Sequence, residues 1–401
     1  MNVRVVTPGV TKRLDPSTLR PHYSAFLGTR GGTPRRVLLT GHSHQAWPDV
    51  ARDGLREAFD VAAAHVDDKW GAVFAAQDEL RSHIAARIGC QPGEIAFAPN
   101  THELVVRFLS ALPLAKRPHL VTTTGEFHSA FRQLRRLAEE GIDVTFVPAE
   151  PAATLAERVA SAVTERTSAV VLSTVLFGTS TVVPDLTHVV EHATRAGAQV
   201  LLDAYHAFDI VPFAAPERAF LVAGGYKYAQ WGEGMCFLRV PAGCDLRPVY
   251  TGWFAGYAQL ADRRTEGAVA YADDGATRFA GSTFDPASTF RARAVARFFD
   301  AHGMTVDALR ATSIMQTARI IAGTRELPGV TIATPLGDAD RGGFVALQTP
   351  RAQELSVGLR DDGVFTDARG DMLRLGPAPY LTDAEIDEAV ALLRARVARA
   401  E

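Results

Sequence analysis

The stretch GGYKYAQWGEG, residues 224–234, sets one lysine, Lys227, among aromatics and glycines, and it follows the short apolar run AFLVA. Upstream, the apolar run VLLD ends on Asp203, and His206 stands three residues further on. An acid at the end of one buried strand and a lysine after a neighbouring one is the pair that a pyridoxal phosphate enzyme requires. The lysine holds the cofactor as a Schiff base, and the carboxylate pairs with the pyridinium nitrogen so that the ring can accept electrons. Gly224, Gly225, Gly232 and Gly234 would let backbone approach the cofactor or take φ values that other residues avoid. Bland readings compete: Asp203 as a helix cap, and Lys227 as a solvated residue in a glycine-rich turn.

Helical and strand patterns alternate along the chain, which predicts an α/β protein on a mostly parallel sheet. The runs SAVVLSTVLFG and AQVLLDAYHAF read as strands buried on both faces, because they are continuously apolar rather than alternating. DVARDGLREAFDVAAAHV and FRQLRRLAEEG carry helical periodicity, and HLVTTTG and DVTFVPA read as short strands. Beyond Pro286 the pattern changes to the helix TFRARAVARFFDAHG, short strands around VTIAT and GGFVALQT, and a closing helix, DAEIDEAVALLRARVARA. The expected organisation is a polar, irregular N-terminal arm (1–34), a large domain (35–290) and a smaller C-terminal α+β domain (291–401) that packs with the N-terminal segment. Ligands of open α/β sheets bind beyond the carboxyl ends of the strands, where Asp203 and Lys227 fall.

Composition removes other classes. With 42 Lys+Arg against 45 Asp+Glu, the formal charge of −3 provides no global field for nucleic acid or an anionic membrane. No apolar stretch reaches the length needed to cross a bilayer, and the first residues lack a secretory pattern, so the expected compartment is the cytoplasm. Cys90, Cys236 and Cys244 are too few and scattered for a disulfide framework or zinc cluster.

Four separated blocks, LLDAYHAFDIVPF, GGYKYAQWGEG, TGWFAG and GVFTDARGDMLRLGPAPYLT, resemble the class V aminotransferase superfamily of fold-type I pyridoxal phosphate enzymes, and within it kynureninase most closely. The resemblance runs from about residue 36 to the end. It implies the fold-type I transferase fold, a homodimer with active sites at the interface, and an amino acid as small-molecule substrate. Lys227 matches the Schiff-base lysine, Asp203 the pyridinium partner and His206 the histidine beside it. Tyr226 and Trp253 match residues that reach the phosphate. In APNTHELVV, Asn100, Thr101 and His102 begin a helix whose N-terminus could hold that phosphate; Asn100 or Thr101 also reads as a simple N-cap. Phe127 occupies the slot of the flat side chain over the ring, where many relatives carry histidine. Ser282 and Thr283, in FAGSTFDP, fall in the segment that crosses to the partner's phosphate. Arg374 matches the arginine that grips the substrate α-carboxylate, a bidentate task suited to a planar guanidinium; Arg369 reads as a solvated neighbour.

The chain departs from kynureninases where they carry GNSLG. Here TGHSHQAWPD offers His42, Ser43, His44 and Trp47 as candidate substrate-pocket residues, and Thr283 stands at an asparagine position. Two histidines around a serine without a Cys or acidic partner at ligand spacing do not make a metal site. The expected activity is kynureninase-like: hydrolytic Cβ–Cγ cleavage of an aromatic γ-keto amino acid to alanine and an aryl acid. Class V transamination or a pyridoxal phosphate lyase reaction on a nonstandard amino acid is the alternative, and a non-catalytic binding protein of the same fold stands behind both. Desulfuration needs a mobile cysteine near the C-terminal domain, and none follows Cys244.

Overall fold

A computed structural model describes residues 12–28, 35–259 and 267–399. The chain pairs its first strand, β1 (Val37–Leu38), far from its neighbours in sequence, and then builds a large sheet from β2 (Ile95–Ala98), β3 (His119–Thr123), β4 (Asp143–Val147), β5 (Thr167–Ser173), β6 (Gln199–Asp203), β7 (Phe220–Gly224) and β8 (Cys236–Arg239). The order across this sheet is β2-β8-β7-β6-β5-β3-β4. Only β8 runs against the others. Every residue of β5 and β7 is buried, as continuous apolar runs require when helices cover both faces. Helices His128–Glu139, Leu155–Ser161 and Leu186–Arg195 make the crossovers.

Because these strands are parallel, Thr123, Ser173, Asp203 and Gly224 finish along one edge of the sheet. The helix Thr101–Ser110 starts at the same edge after β2. The expected strand SAVVLSTVLFG is shorter than the apolar run: it ends at Ser173, and Val175 turns back to bridge Val182.

The smaller domain holds β9 (Thr331–Ile332), β10 (Val345–Gln348), β11 (Val364–Phe365), β12 (Asp367–Arg369) and β13 (Met372–Leu375). Four of these form an antiparallel sheet ordered β12-β13-β10-β9. β11 instead pairs in parallel with β1, Val37 opposite Val364, and Thr40 bridges Gly376. The segment after β1 is thereby carried from the N-terminal side of the chain to the small domain.

Three expectations need correction. The arm is not irregular where it is described: Pro16–Leu19, Arg20–Tyr23 and Ser24–Leu27 are helical turns. Tyr23 is fully buried against Tyr380 and donates to Gln230 Oε1 at 2.5 Å; residues 1–11 and 29–34 of the expected arm lie outside the described residues. The boundary at residue 290 falls inside the helix Ala287–Ala301, which packs on the large-domain helices Ala51–His65 and Trp70–Ile88. That packing is close: a Cβ on Gly54 would meet the Phe290 carbonyl at 2.6 Å. Third, the 19-residue helix Val306–Thr324 has no counterpart in the sequence reading. Its buried residues include Arg310, Thr312, Ser313, Gln316 and Thr317, so polar residues interrupt the apolar stripe that would announce it.

Candidate active site

Lys227 leaves the sheet edge just after β7, in a turn closed by Trp231 N–H donating to Gly225 O and Gln230 N–H to Lys227 O. The glycines work mainly through the protein itself. A Cβ on Gly224 would meet Cys236 Sγ and the Tyr205 hydroxyl at 2.4 Å, while Gly232 and Gly234 hold φ of 73° and 90°. The lysine side chain is only 6% exposed, and its Nζ donates to the His42 carbonyl at 2.9 Å. Tyr226, Tyr205 and Phe127 surround the amine, with ring centres 5.0, 5.3 and 5.8 Å from Nζ. Burial, helped by the Arg374 charge and opposed by Asp203 and Asp367, pulls the amine from its usual 10.5 down to about 7. A lysine so placed is largely neutral above neutral pH, the state that can attack a carbonyl.

A small cavity, about 30 Å³, brings Lys227 together with Thr101, His102, Phe127, Asp203, His206 and Tyr226. Asp203 Oδ1 accepts from the Tyr205 N–H at 2.9 Å. Burial raises the Asp203 pKa, against that N–H and the Lys227 charge. His206 is buried and its Nδ1 has no partner among the described residues; burial, with Lys227, His42 and Arg374 acting in the same sense, keeps the ring neutral. Asn100 takes the capping role: its side chain accepts from Glu103 N–H at 2.9 Å. Thr101 and His102, rather than Asn100, line the cavity. Phe127 meets Phe177 edge-on at 5.5 Å. Tyr226 stacks beneath His44, and burial pushes its hydroxyl up to about 12.

Arg374, on β13, is 4% exposed. It donates to the Phe177 carbonyl at 2.7 Å and pairs with Asp367, its cross-strand partner on β12. Asp367 also faces Arg369 at 3.3 Å and the His42 ring at 3.6 Å, the latter an electrostatic contact rather than a hydrogen bond. Burial works against its charge, but the His42 ring, Arg374 and Arg369 together hold Asp367 well below the usual carboxylate range. Asp367 escaped the sequence reading because an acid two residues from an arginine in TDARGD looks like a solvated turn. Glu126, 2% exposed in TGEF, escaped for a similar reason.

Other expected residues lie elsewhere. Trp47, offered as a substrate contact, packs against Phe26, Gly232 and the Arg291 guanidinium, and does not line the cavity. Ser43 donates to the Thr40 carbonyl, and His44 sits exposed beside Glu233 at 3.1 Å. His42 is fully buried, stacked on Phe344, and burial drives its pKa down to about 3; it meets Lys227 through its backbone. Trp253 donates to Thr283 Oγ1 at 3.1 Å. Ser282 and Thr283 line a separate groove of about 660 Å³, so within one chain this group is not brought to Lys227.

The family model for the kynureninase C-terminal domain matches residues 309–393. Over 365 residues, 88% of this chain and 92% of the relative, the chain is 23% identical to the uncharacterized aminotransferase YcbU of Bacillus subtilis (strain 168). It is 25% identical to kynureninase of Bacillus cereus (strain ATCC 10987 / NRS 248) over 387 residues, covering 92% and 86% of the two chains. These likenesses support a place for the chain in the class V aminotransferase superfamily. Its fold is that of the apo cysteine desulfurase from Thermococcus onnurineus NA1 (TM-score 0.79, 15% identity, 97% and 99% covered). It is also that of a C-DES mutant with glycine covalently linked to its PLP cofactor (TM-score 0.78, 18% identity, 94% and 98% covered). As a class V chain, it carries the groups that pyridoxal phosphate would need at one cavity. A partly neutral amine, a buried carboxyl, an unpartnered His206 Nδ1 and a helix N-terminus converge there.

Proposed function

We propose that this class V enzyme binds pyridoxal phosphate through Lys227 and works on the α-carbon of an amino acid, with kynureninase-like hydrolytic Cβ–Cγ cleavage of an aromatic γ-keto amino acid as its reaction. The observation that carries the cofactor reading is the convergence of Lys227 and Asp203 on one buried cavity at the carboxyl edge of the sheet. The match to the kynureninase C-terminal domain and the near full-length likeness to a kynureninase support the reaction.

The bound cofactor would supply an electron sink for the α-carbon. The chain supplies the rest. Asp203 would face the ring nitrogen with its charge, and Phe127 would lie against the ring. The N–H groups at the start of the helix Thr101–Ser110 would hold the phosphate. Arg374, kept in place by Asp367 and the Phe177 carbonyl, takes the substrate α-carboxylate. The Lys227 amine, once released, removes the α-proton as general base, a task its lowered pKa suits. The enzyme acts in the cytoplasm as a homodimer, in which Trp253, Ser282 and Thr283 complete the phosphate pocket across the interface.

Purified protein should be yellow, and borohydride should fix the cofactor to Lys227. Lys227→Ala should abolish turnover. Kynurenine, 3-hydroxykynurenine and a panel of other amino acids then separate the outcomes. Alanine with an aryl amine product supports cleavage; a keto acid supports transamination, the second reading, which the likeness to an aminotransferase over most of the chain favours. A colourless protein with no reducible adduct overturns the cofactor assignment.

A further inference from the structure

Glu126 takes part in none of these steps, yet it is one of the most deeply buried acids of the site. It sits between the end of β3 and Phe127, 2% exposed. The Thr123 hydroxyl lies 2.5 Å from its Oε1 and the Ser173 hydroxyl 2.6 Å from its Oε2. Among the described residues no lysine or arginine forms an ion pair with it. Ser173, at the end of β5, is the direct cross-strand partner of Asp203 at the end of β6. One hydroxyl therefore separates the Glu126 carboxyl from the strand end that carries Asp203.

Two carboxylates cannot both ionise cheaply in one dry site, so a proton stays with the pair. Its place follows from the surroundings. Asp203 has a backbone donor, the Tyr205 N–H, and the neighbouring Lys227 charge to stabilise an anion. Glu126 has two hydroxyls and the Ser173 N–H but no cation acting on it, and a hydroxyl can accept a proton as readily as donate one, so the short contacts suit an acid O–H as well as a carboxylate. We propose that Glu126 and Asp203 share one proton, that Glu126 holds it, and that Asp203 is thereby left with the negative charge that faces the cavity. Glu126 acts through Asp203 and is a positioning residue. Burial is the main force pushing it up, to about 7; Ser173 and Thr123 pull it down, and the Asp203 charge pushes it up further. Lys227 shares the cavity and acts on Asp203, and His206 beside it is kept neutral.

The functional weight of this pair rests on the cofactor reading above, but the proton sharing does not, and the test separates the two. Infrared difference spectra of the chain, with and without pyridoxal phosphate, are titrated from pH 5 to 9 and compared with Glu126→Gln. A carboxylic-acid C=O band should be present at pH 6, be missing in Glu126→Gln, and fade with a midpoint near neutrality in the cofactor-free chain. In Asp203→Asn, relieved of the like charge, that midpoint should fall by about one pH unit or more. No Glu126-dependent acid band at pH 6 would overturn the proposal, as would a midpoint that Asp203→Asn leaves in place. Should Glu126→Gln fail to fold, Ser173→Ala serves: removing the linking hydroxyl must move the band frequency. A protein that takes up no pyridoxal phosphate while the band behaves as expected counts against the cofactor reading alone.

Discussion

The strongest electrostatic claim concerns Lys227, and it can be tested without any substrate. Its pKa falls from 10.5 to about 7, chiefly through burial and next through the Arg374 charge. At about 1.4 kcal/mol per unit, that shift is on the order of 5 kcal/mol of preference for the neutral amine in the folded state. At pH 8 roughly nine-tenths of Lys227 would be neutral, against well under a hundredth of an unperturbed lysine. The sign for stability is worked out directly. The folded chain binds fewer protons than the unfolded one between about pH 7 and 10.5, so this group makes the cofactor-free protein more stable as pH rises through that window. The assay is reductive methylation of the cofactor-free protein with formaldehyde and cyanoborohydride, followed by mass spectrometry of each lysine peptide. Exposed Lys12 and Lys116 provide the internal reference. The rate of a free lysine amine climbs about tenfold per pH unit up to pH 9, whereas the Lys227 rate should bend over near pH 7 and stay flat above pH 8. Arg374→Gln removes a repelling charge and should move the bend upward; Asp203→Asn removes an attracting one and should move it downward. A Lys227 profile that climbs in parallel with Lys12 and Lys116 would refute the argument, and with it the proposed role of a neutral amine at physiological pH.

Other outcomes follow from the same geometry. Arg374→Lys should raise KM for an amino acid substrate by about 30-fold or more, since a point charge cannot reproduce a bidentate guanidinium grip worth about 2 kcal/mol; steady-state kinetics measure it. Asp367→Asn should leave Arg374 buried without its ion-pair partner and lower thermal stability by roughly 3 kcal/mol, read by denaturant unfolding of the cofactor-free protein. Trp47→Ala should cost roughly 2–3 kcal/mol of stability through lost packing on Phe26 and Arg291 while leaving the order of preference among substrates unchanged, which a substrate panel checks. Gly54→Leu should disrupt the close approach of the helices Ala51–His65 and Ala287–Ala301 and cost more than any of these, visible as a large fall in Tm.

What was legible in the sequence is what the sheet edge dictates. Asp203 and Lys227 end apolar runs long enough to be buried strands, so their place at one edge follows from parallel topology alone. Arg374 was found through a motif, and its position depends on β12 and β13, which are only three and four residues long. Strands that short carry no period to read. Asp367 and Glu126 were missed for a different reason: an acid in a charged or glycine-containing turn has the same local signature whether it is solvated or buried, and only long-range pairing decides. Trp47 was misplaced by the reverse error. An indole beside two histidines suggests an aromatic pocket, but its immediate neighbours in space, Phe26, Gly232 and Arg291, come from three distant segments.

His42 shows how the two domains meet at the chemistry. Its residue type pointed to a substrate contact, yet its ring is fully buried on Phe344 beside Asp367, and its backbone carbonyl receives the Lys227 amine. That carbonyl is held by the segment after β1, which pairs with β11 and bridges Gly376 of the small domain. Lys227, in contrast, belongs to the large sheet through β7. One hydrogen bond of 2.9 Å thus ties the amine of the large domain to backbone positioned by the small one. Covalent use of that amine must draw it away from His42. In the proposed reaction that tie is lost when the cofactor takes the amine, a step earlier than the arrival of the substrate carboxylate that Arg374, on the separate small-domain sheet β12-β13-β10-β9, would bind.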